Sequence, residues 1–181
     1  AVRILWRKRV GERHFMADIE IDTDEHGRPV PSPRGAETPD DFPSVSIAHT
    51  SGMTAALAAV KPHVGVDVKR IERGEAVFER AEFQSSEQGL LDSLADARNE
   101  FATRFCCAKE AVARALGRSL DDGQRYVVVR AANPRSGELQ VSLEAALAEE
   151  FPRFREGPLL VHTAQCKDFI VATTFLERPR R

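Results

Sequence analysis

The stretch Val64-Gly65-Val66-Asp67-Val68 constrains the fold more than any other part of the chain. Strict alternation reads as a β-strand with the three valines on one face, which leaves Gly65 and Asp67 sharing the other. A strand of valines belongs in a core, yet an ionised carboxylate taken into a core is costly unless something compensates it. Three things could do so: a basic partner, backbone N–H donors or a metal ion. The fold must therefore supply one of them beside this strand.

The surrounding sequence sets the frame. Residues 23–43 are dense in proline, glycine and charge and read as an irregular segment that separates a short N-terminal piece from the rest. Residues 44–50 alternate like a strand. Residues 51–60 suit either helix, from their alanines, or the second arm of a hairpin, with 61–63 as a turn into the Asp67 strand. Residues 75–94 read as helical, with a restart at Ser85 and Gln88, which have the form of a capping box. Residues 98–117 form the clearest helix and end on Gly117. Four strand-like runs follow, at 125–132, 137–143, 158–164 and 168–175, with a short helical run at 144–151 between the second and third. Strands mixed with a few helices, without a regular alternation of the two, predict an α+β fold.

Composition narrows the function classes. At 181 residues and 42% hydrophobic, the chain can core one domain or two small lobes. A net charge of −2 with both signs interspersed offers no polybasic surface for duplex nucleic acid. No apolar run approaches the ~20 residues that span a bilayer, so no membrane association is expected. The three cysteines, two of them adjacent at 106 and 107, make a poor disulfide framework and fit no zinc spacing. A reducing, cytoplasmic setting is the expectation.

On the 98–117 helix, Phe101, Phe105, Ala108, Val112 and Leu116 form a core stripe. Glu110 lies opposite, with Arg114 one turn on and Cys106 and Cys107 one turn back. Glu110 and Arg114 make an ordinary i,i+4 ion pair on this spacing. Two cysteines beside a glutamate are unusual for a solvated face, so this second face is expected to meet another element or a pocket.

The strand motif Val64–Asp67 and the helical motif Phe105–Gly117, sequence FCCAKEAVARALG, together resemble the two signatures of the 4′-phosphopantetheinyl transferases, (V/I)G(V/I)D and (W/F)xxKExxxK(A/x)xG. Asp67 and Glu110 stand 43 residues apart. Three further landmarks of that family appear in order: GRP at 27–29 for its GKP, SIAHTSG at 46–52 for its ISHSG, and FQSSEQ at 83–88 for its F…(S/T)xxE. The resemblance is to the larger, surfactin-synthetase-activating type, whose fold is two pseudo-symmetric lobes with the site between them. Here residues 61–181 correspond to a full C-terminal lobe carrying the GVD and KE motifs. Residues 1–60 correspond to a shortened N-terminal lobe carrying GRP and SIAHT.

The resemblance implies transfer of 4′-phosphopantetheine from coenzyme A to a serine of an apo acyl carrier protein or carrier domain, releasing 3′,5′-ADP. It implies Mg²⁺, or Mn²⁺, held by Asp67, Glu110 and Glu87. Glu87, Glu110 and Lys109 are implied in catalysis, and Arg28, His49, Lys109 and Arg114 in binding coenzyme A. One position departs from the pattern: where the larger type carries a second acid two residues after the metal aspartate, this chain has Lys69, one of only five lysines. The small trimeric holo-acyl-carrier-protein synthases lack that acid too. The short first lobe and the alanine at position 1 lead to the expectation of a domain from a longer chain, such as an iterative polyketide synthase. A module that docks coenzyme A or a carrier without turnover is the alternative function.

Overall fold

The structure, a computed structural model, describes residues 2, 4–5, 18–25, 27–35, 37–40, 42–60, 63–71, 83–118 and 126–176. The chain enters through two hairpins. The first pairs β1 (Ile19–Thr23) with β2 (Pro29–Pro33), and the second pairs β3 (Ser44–Thr50) with β4 (Met53–Ala59). Residues 51–60, open between helix and hairpin arm by composition, thus resolve as a strand. Its two-residue turn places Gly52 at φ 94°, a conformation costly for residues with a Cβ.

The remaining chain builds one antiparallel sheet. Strand β5 (Val64–Arg70) is followed by helices α1 (Ser85–Ser93) and α2 (Arg98–Leu116). Strands β6 (Val127–Ala132) and β7 (Glu138–Leu143), helix α3 (Ala145–Glu150), and strands β8 (Leu159–Cys166) and β9 (Phe169–Phe175) complete it. The spatial order is β5-β9-β8-β7-β6. The α+β class expected from the sequence is what the chain adopts.

Helix α2 lies against this sheet and is buried on nearly every side, well beyond its predicted stripe. Phe105, Ala108 and Val112 pack with Leu139, Val141, Val161, Ile170 and Ala172 into the main core. The other face of β5 is covered by the β3–β4 hairpin, where Val66, Val68, Ala48 and Phe169 form a second cluster with Leu57 and Val171 against it. Strand β5 is therefore sandwiched, with its valines toward the hairpin and Gly65 and Asp67 toward α2. Ser46 Oγ accepts the N–H of Val66 (3.0 Å) and fixes the hairpin to the strand.

Gly65 sets the distance between strand and helix. A Cβ at this position would lie 1.8 Å from the carbonyl oxygen of Ala111 and 3.0 Å from the Ala115 methyl, so only glycine allows α2 to approach this closely. The small residues on the facing helix turn serve the same contact. At its C-terminus α2 closes on Gly117 with φ 73°, whose N–H bonds the carbonyl of Arg114 (3.0 Å).

The cap of α1 differs by one residue from the expected Ser85–Gln88 box. Gln84 is the cap residue, and the Glu87 carboxylate accepts its N–H (2.9 Å), while the Gln88 side chain donates to Phe83 O (3.3 Å). A carboxylate is the better acceptor for a helix N-terminal N–H, so the glutamate rather than the glutamine takes the reciprocal position. The expected helical start near residue 75 and most of the turn at 61–63 fall outside the described residues. Among the described residues, no helix is long and apolar enough to cross a membrane.

Candidate active site

The close packing at Gly65 brings Asp67 under the Glu110–Arg114 turn of α2. The Asp67 side chain is 5% exposed. Two cations stand near it without hydrogen-bonding it: Lys69 Nζ is 3.7 Å from Oδ2, and Arg114 Nε is 3.6 Å from Oδ1. Oδ2 has no hydrogen-bond partner, and neither has Arg114 Nε. The buried Cys107 thiol, which donates to Ile170 O (3.6 Å), also favours the ionised carboxylate. Burial is the main influence on Asp67 and, with the negative charge of Glu110, outweighs Lys69, Arg114 and Cys107. The carboxyl is raised from its ordinary 3.8 to about 6. Burial alone would lower Lys69, but Asp67 and Glu110 hold it above its ordinary value and keep it charged. Burial likewise pushes the Cys106 thiol up to about 11, which makes it a poor nucleophile.

Glu110 reaches outward from the same helix turn, its side chain 19% exposed. Arg114 Nη2 donates to its Oε1 (3.3 Å), and Arg114 Nη1 donates to Ile47 O on β3 (3.3 Å). Arg114 thus ties together Asp67, Glu110 and the hairpin. A groove of about 210 Å³ opens here, lined by Arg28, Ser46, Ile47, Glu110, Arg114 and Arg118 among others. Arg28 is held by Asp24, which accepts both its N–H (2.9 Å) and its Nε (2.6 Å). Its guanidinium lies over Gly117, where a Cβ would come within 2.3 Å of Nη1. The glycine that ends α2 therefore also seats the GRP segment against the negative end of the helix dipole. Arg118 pairs with Glu150 and lies over the Phe151 ring.

Not all the residues that the sequence nominates meet in this groove. Arg28, Glu110 and Arg114 line it, and Asp67, which does not, reaches it through Arg114, whose Nε is 3.6 Å from Oδ1. His49 sits exposed on β3 opposite Thr54. Glu87 and Lys109 are fully buried and bond each other at 2.8 Å. The same Glu87 oxygen, Oε2, also accepts the N–H of Gln84, and Oε1 accepts that of Val129, both at 2.9 Å, while Lys109 Nζ lies 5.5 Å from the centre of the Phe83 ring. This pair joins α1, α2 and β6, and its carboxylate is taken up by Lys109 and two backbone N–H groups. Among the described residues, no group of three or more histidine, cysteine or acidic side chains is placed to hold a metal ion.

Sequence reasoning passed over three contributors. Arg118 stands next to the last motif residue and lacks a pattern of its own. Ser46 and Cys107 sit at positions that the motifs leave variable, although the cysteines on the Glu110 face signalled a packed surface there.

Residues 63–174, more than half of the chain, match the model of the 4′-phosphopantetheinyl transferase superfamily. The chain belongs to that superfamily. No curated protein matches it. Among solved structures, the transferase is similar to holo-[acyl-carrier-protein] synthase (AcpS) from Neisseria meningitidis. The two share 18% identity at a TM-score of 0.50, over 65% of this chain and 98% of that one. Holo-ACP-synthase from Plasmodium yoelii is similar at 16% identity and a TM-score of 0.44, over 62% of this chain and 91% of that one. At such identities the first likeness is one of fold.

The donor set fits the divalent cation that the superfamily implies. Mg²⁺ favours one or two carboxylates completed by water and phosphate oxygens. Asp67 offers a buried oxygen with no hydrogen-bond partner, and Glu110, whose charge acts on it, lines a groove with room for the rest.

Proposed function

We propose that this transferase moves 4′-phosphopantetheine from coenzyme A to a serine hydroxyl of an apo acyl carrier protein or carrier domain, with release of 3′,5′-ADP. The observation that carries the reading is the unpartnered oxygen of buried Asp67, whose charged neighbours Glu110 and Arg114 line an arginine-rich groove. Asp67 and Glu110 would hold Mg²⁺ or Mn²⁺, which would supply positive charge to offset that of the pyrophosphate.

The protein's own side chains do the remaining work. Arg28, Arg114 and Arg118 bind the phosphates, and the planar fork of Arg114 suits a phosphate better than the lysine of the family pattern. His49, on the same strand as Ile47, contacts the nucleotide end. Glu110 is the acid at the groove wall, which suits it to accept the serine proton. Glu87 and Lys109 serve as a buried brace that fixes the α2 turn carrying Glu110. That role replaces ligation or proton transfer for Glu87 and phosphate contact for Lys109.

The test is intact-protein mass spectrometry of an apo acyl carrier protein incubated with the chain, coenzyme A and Mg²⁺. A gain of one phosphopantetheinyl group, lost with EDTA and in Asp67→Ala, is expected. Coenzyme A binding without any gain under every condition would favour the docking module, a reading supported by the lysine standing beside the metal aspartate.

A further inference from the structure

Lys69 and Asp67 alternate on β5 and share the face turned toward α2. The ammonium lies 3.7 Å from Oδ2, near enough to offset its charge and too far to hydrogen-bond it. Arg114 stands at 3.6 Å from the other oxygen in the same way. A buried carboxylate thus has charge compensation on both sides and satisfied geometry on neither. That is the arrangement of an anion held ready for a ligand.

We propose that Lys69 is a built-in competitor for the divalent cation: it occupies the charge position at Asp67 Oδ2 and must withdraw before the metal binds. The inference rests on the metal reading of Asp67 and Glu110 given above. A divalent ion sits at about 2.1 Å from a ligating oxygen, so an ammonium 3.7 Å from that oxygen and a dication on it would repel strongly. The lysine has somewhere to go, since its side chain is 40% exposed on a flexible stem. Arg114 is less free, because Glu110 and Ile47 O hold its two Nη atoms. Lys69 is therefore the mobile member of the pair.

Removing its charge should tighten metal binding. Lys69→Gln keeps length and polarity without adding a ligand, which Lys69→Glu would do. Two unit charges about 4 Å apart interact even in bulk water by enough to change affinity roughly fivefold. Mn²⁺ binding, read by electron paramagnetic resonance of the free ion in the absence of coenzyme A, and the Mg²⁺-induced rise in melting temperature provide readouts independent of turnover. Lys69→Gln is expected to bind Mn²⁺ about fivefold tighter or more, Lys69→Arg to resemble the wild type, and Asp67→Asn to lose the site. Wild-type binding that Asp67→Asn abolishes but Lys69→Gln leaves unchanged or weakens would overturn the competitor role and leave the metal site standing. Absence of binding in every form, Lys69→Gln included, would overturn the site and the competitor with it.

Discussion

Replacing Asp67 with asparagine should stabilise the metal-free protein at neutral pH, although it removes the residue on which the proposed chemistry depends. Burial holds the Asp67 carboxyl at about 6 against an ordinary 3.8. In the folded state the group therefore prefers its neutral form, and its contribution to stability is fully present below pH 4. That contribution is lost as pH rises toward 6 and stays lost above it. At ~1.4 kcal/mol per pH unit the loss is roughly 3 kcal/mol. Asparagine mimics the neutral carboxyl and takes one negative charge from Lys69 and Arg114, which keep Glu110 near them. Their attraction to the carboxylate is already contained in the raised value of about 6, so it is not subtracted a second time. The gain at pH 8 should be about 3 kcal/mol, a rise in melting temperature on the order of 10 °C for a chain this size. Differential scanning calorimetry at pH 4 and pH 8, with EDTA and then with Mg²⁺, tests it. Wild type and variant should converge at pH 4, diverge at pH 8, and differ in that Mg²⁺ raises only the wild type. A variant less stable than wild type at pH 8 in EDTA would refute the claim that burial of the charge dominates. So would an equal gain at both pH values.

Three further outcomes follow from the packing. Gly65→Ala drives a methyl into the Ala111 carbonyl and should cost about 3 kcal/mol or more in urea unfolding, with loss of metal binding as α2 shifts away from β5. Lys109→Met should cost ~3–5 kcal/mol because Glu87 is left charged and buried, whereas the double variant Lys109→Met, Glu87→Leu should be less damaging than the single one. If the single variant is as stable as wild type, the brace contributes nothing. Arg114→Ala should weaken coenzyme A binding by calorimetry about tenfold or more, since a charged hydrogen-bond donor at phosphate is worth ~1.5–3 kcal/mol, and Arg114→Lys should recover part of it.

What could be read in advance, and what could not, follows from the range of the forces involved. The β5 alternation, the length of α2 with its terminal Gly117 and the four closing strands are local patterns, and each appears where the sequence places it. Residues 51–60 were ambiguous because alanine suits both helix and strand; only the pairing of Thr50 with Met53 and the packing of Leu57 on β5 decide. The strand of Asp67 and the helix of Glu110 were legible as elements, and Gly65 is what lets them approach. The partners of Glu87 were not, since Lys109 and the Val129 N–H are both distant in sequence. Motif spacing identifies which residues a fold has in common with its relatives; it does not say which of them turn toward the groove.

Stability and chemistry are joined at one contact. Without a side chain at 65, α2 comes down onto β5 until Ala111 and Ala115 meet the strand, and this same approach puts Asp67 out of water and under Glu110. A looser fit would hydrate the carboxylate, restore its ordinary acidity and relieve the cost of burying it. The same hydration would leave Oδ2 bonded to water and raise the effective dielectric around any cation held there, so the attraction would weaken in step. The strained electrostatics of Asp67 and the proposed avidity of the site for a divalent ion are therefore one property seen in two states. Lys69 and Arg114 make the metal-free state tolerable by standing near the carboxylate, and because neither bonds it, they do so without closing it.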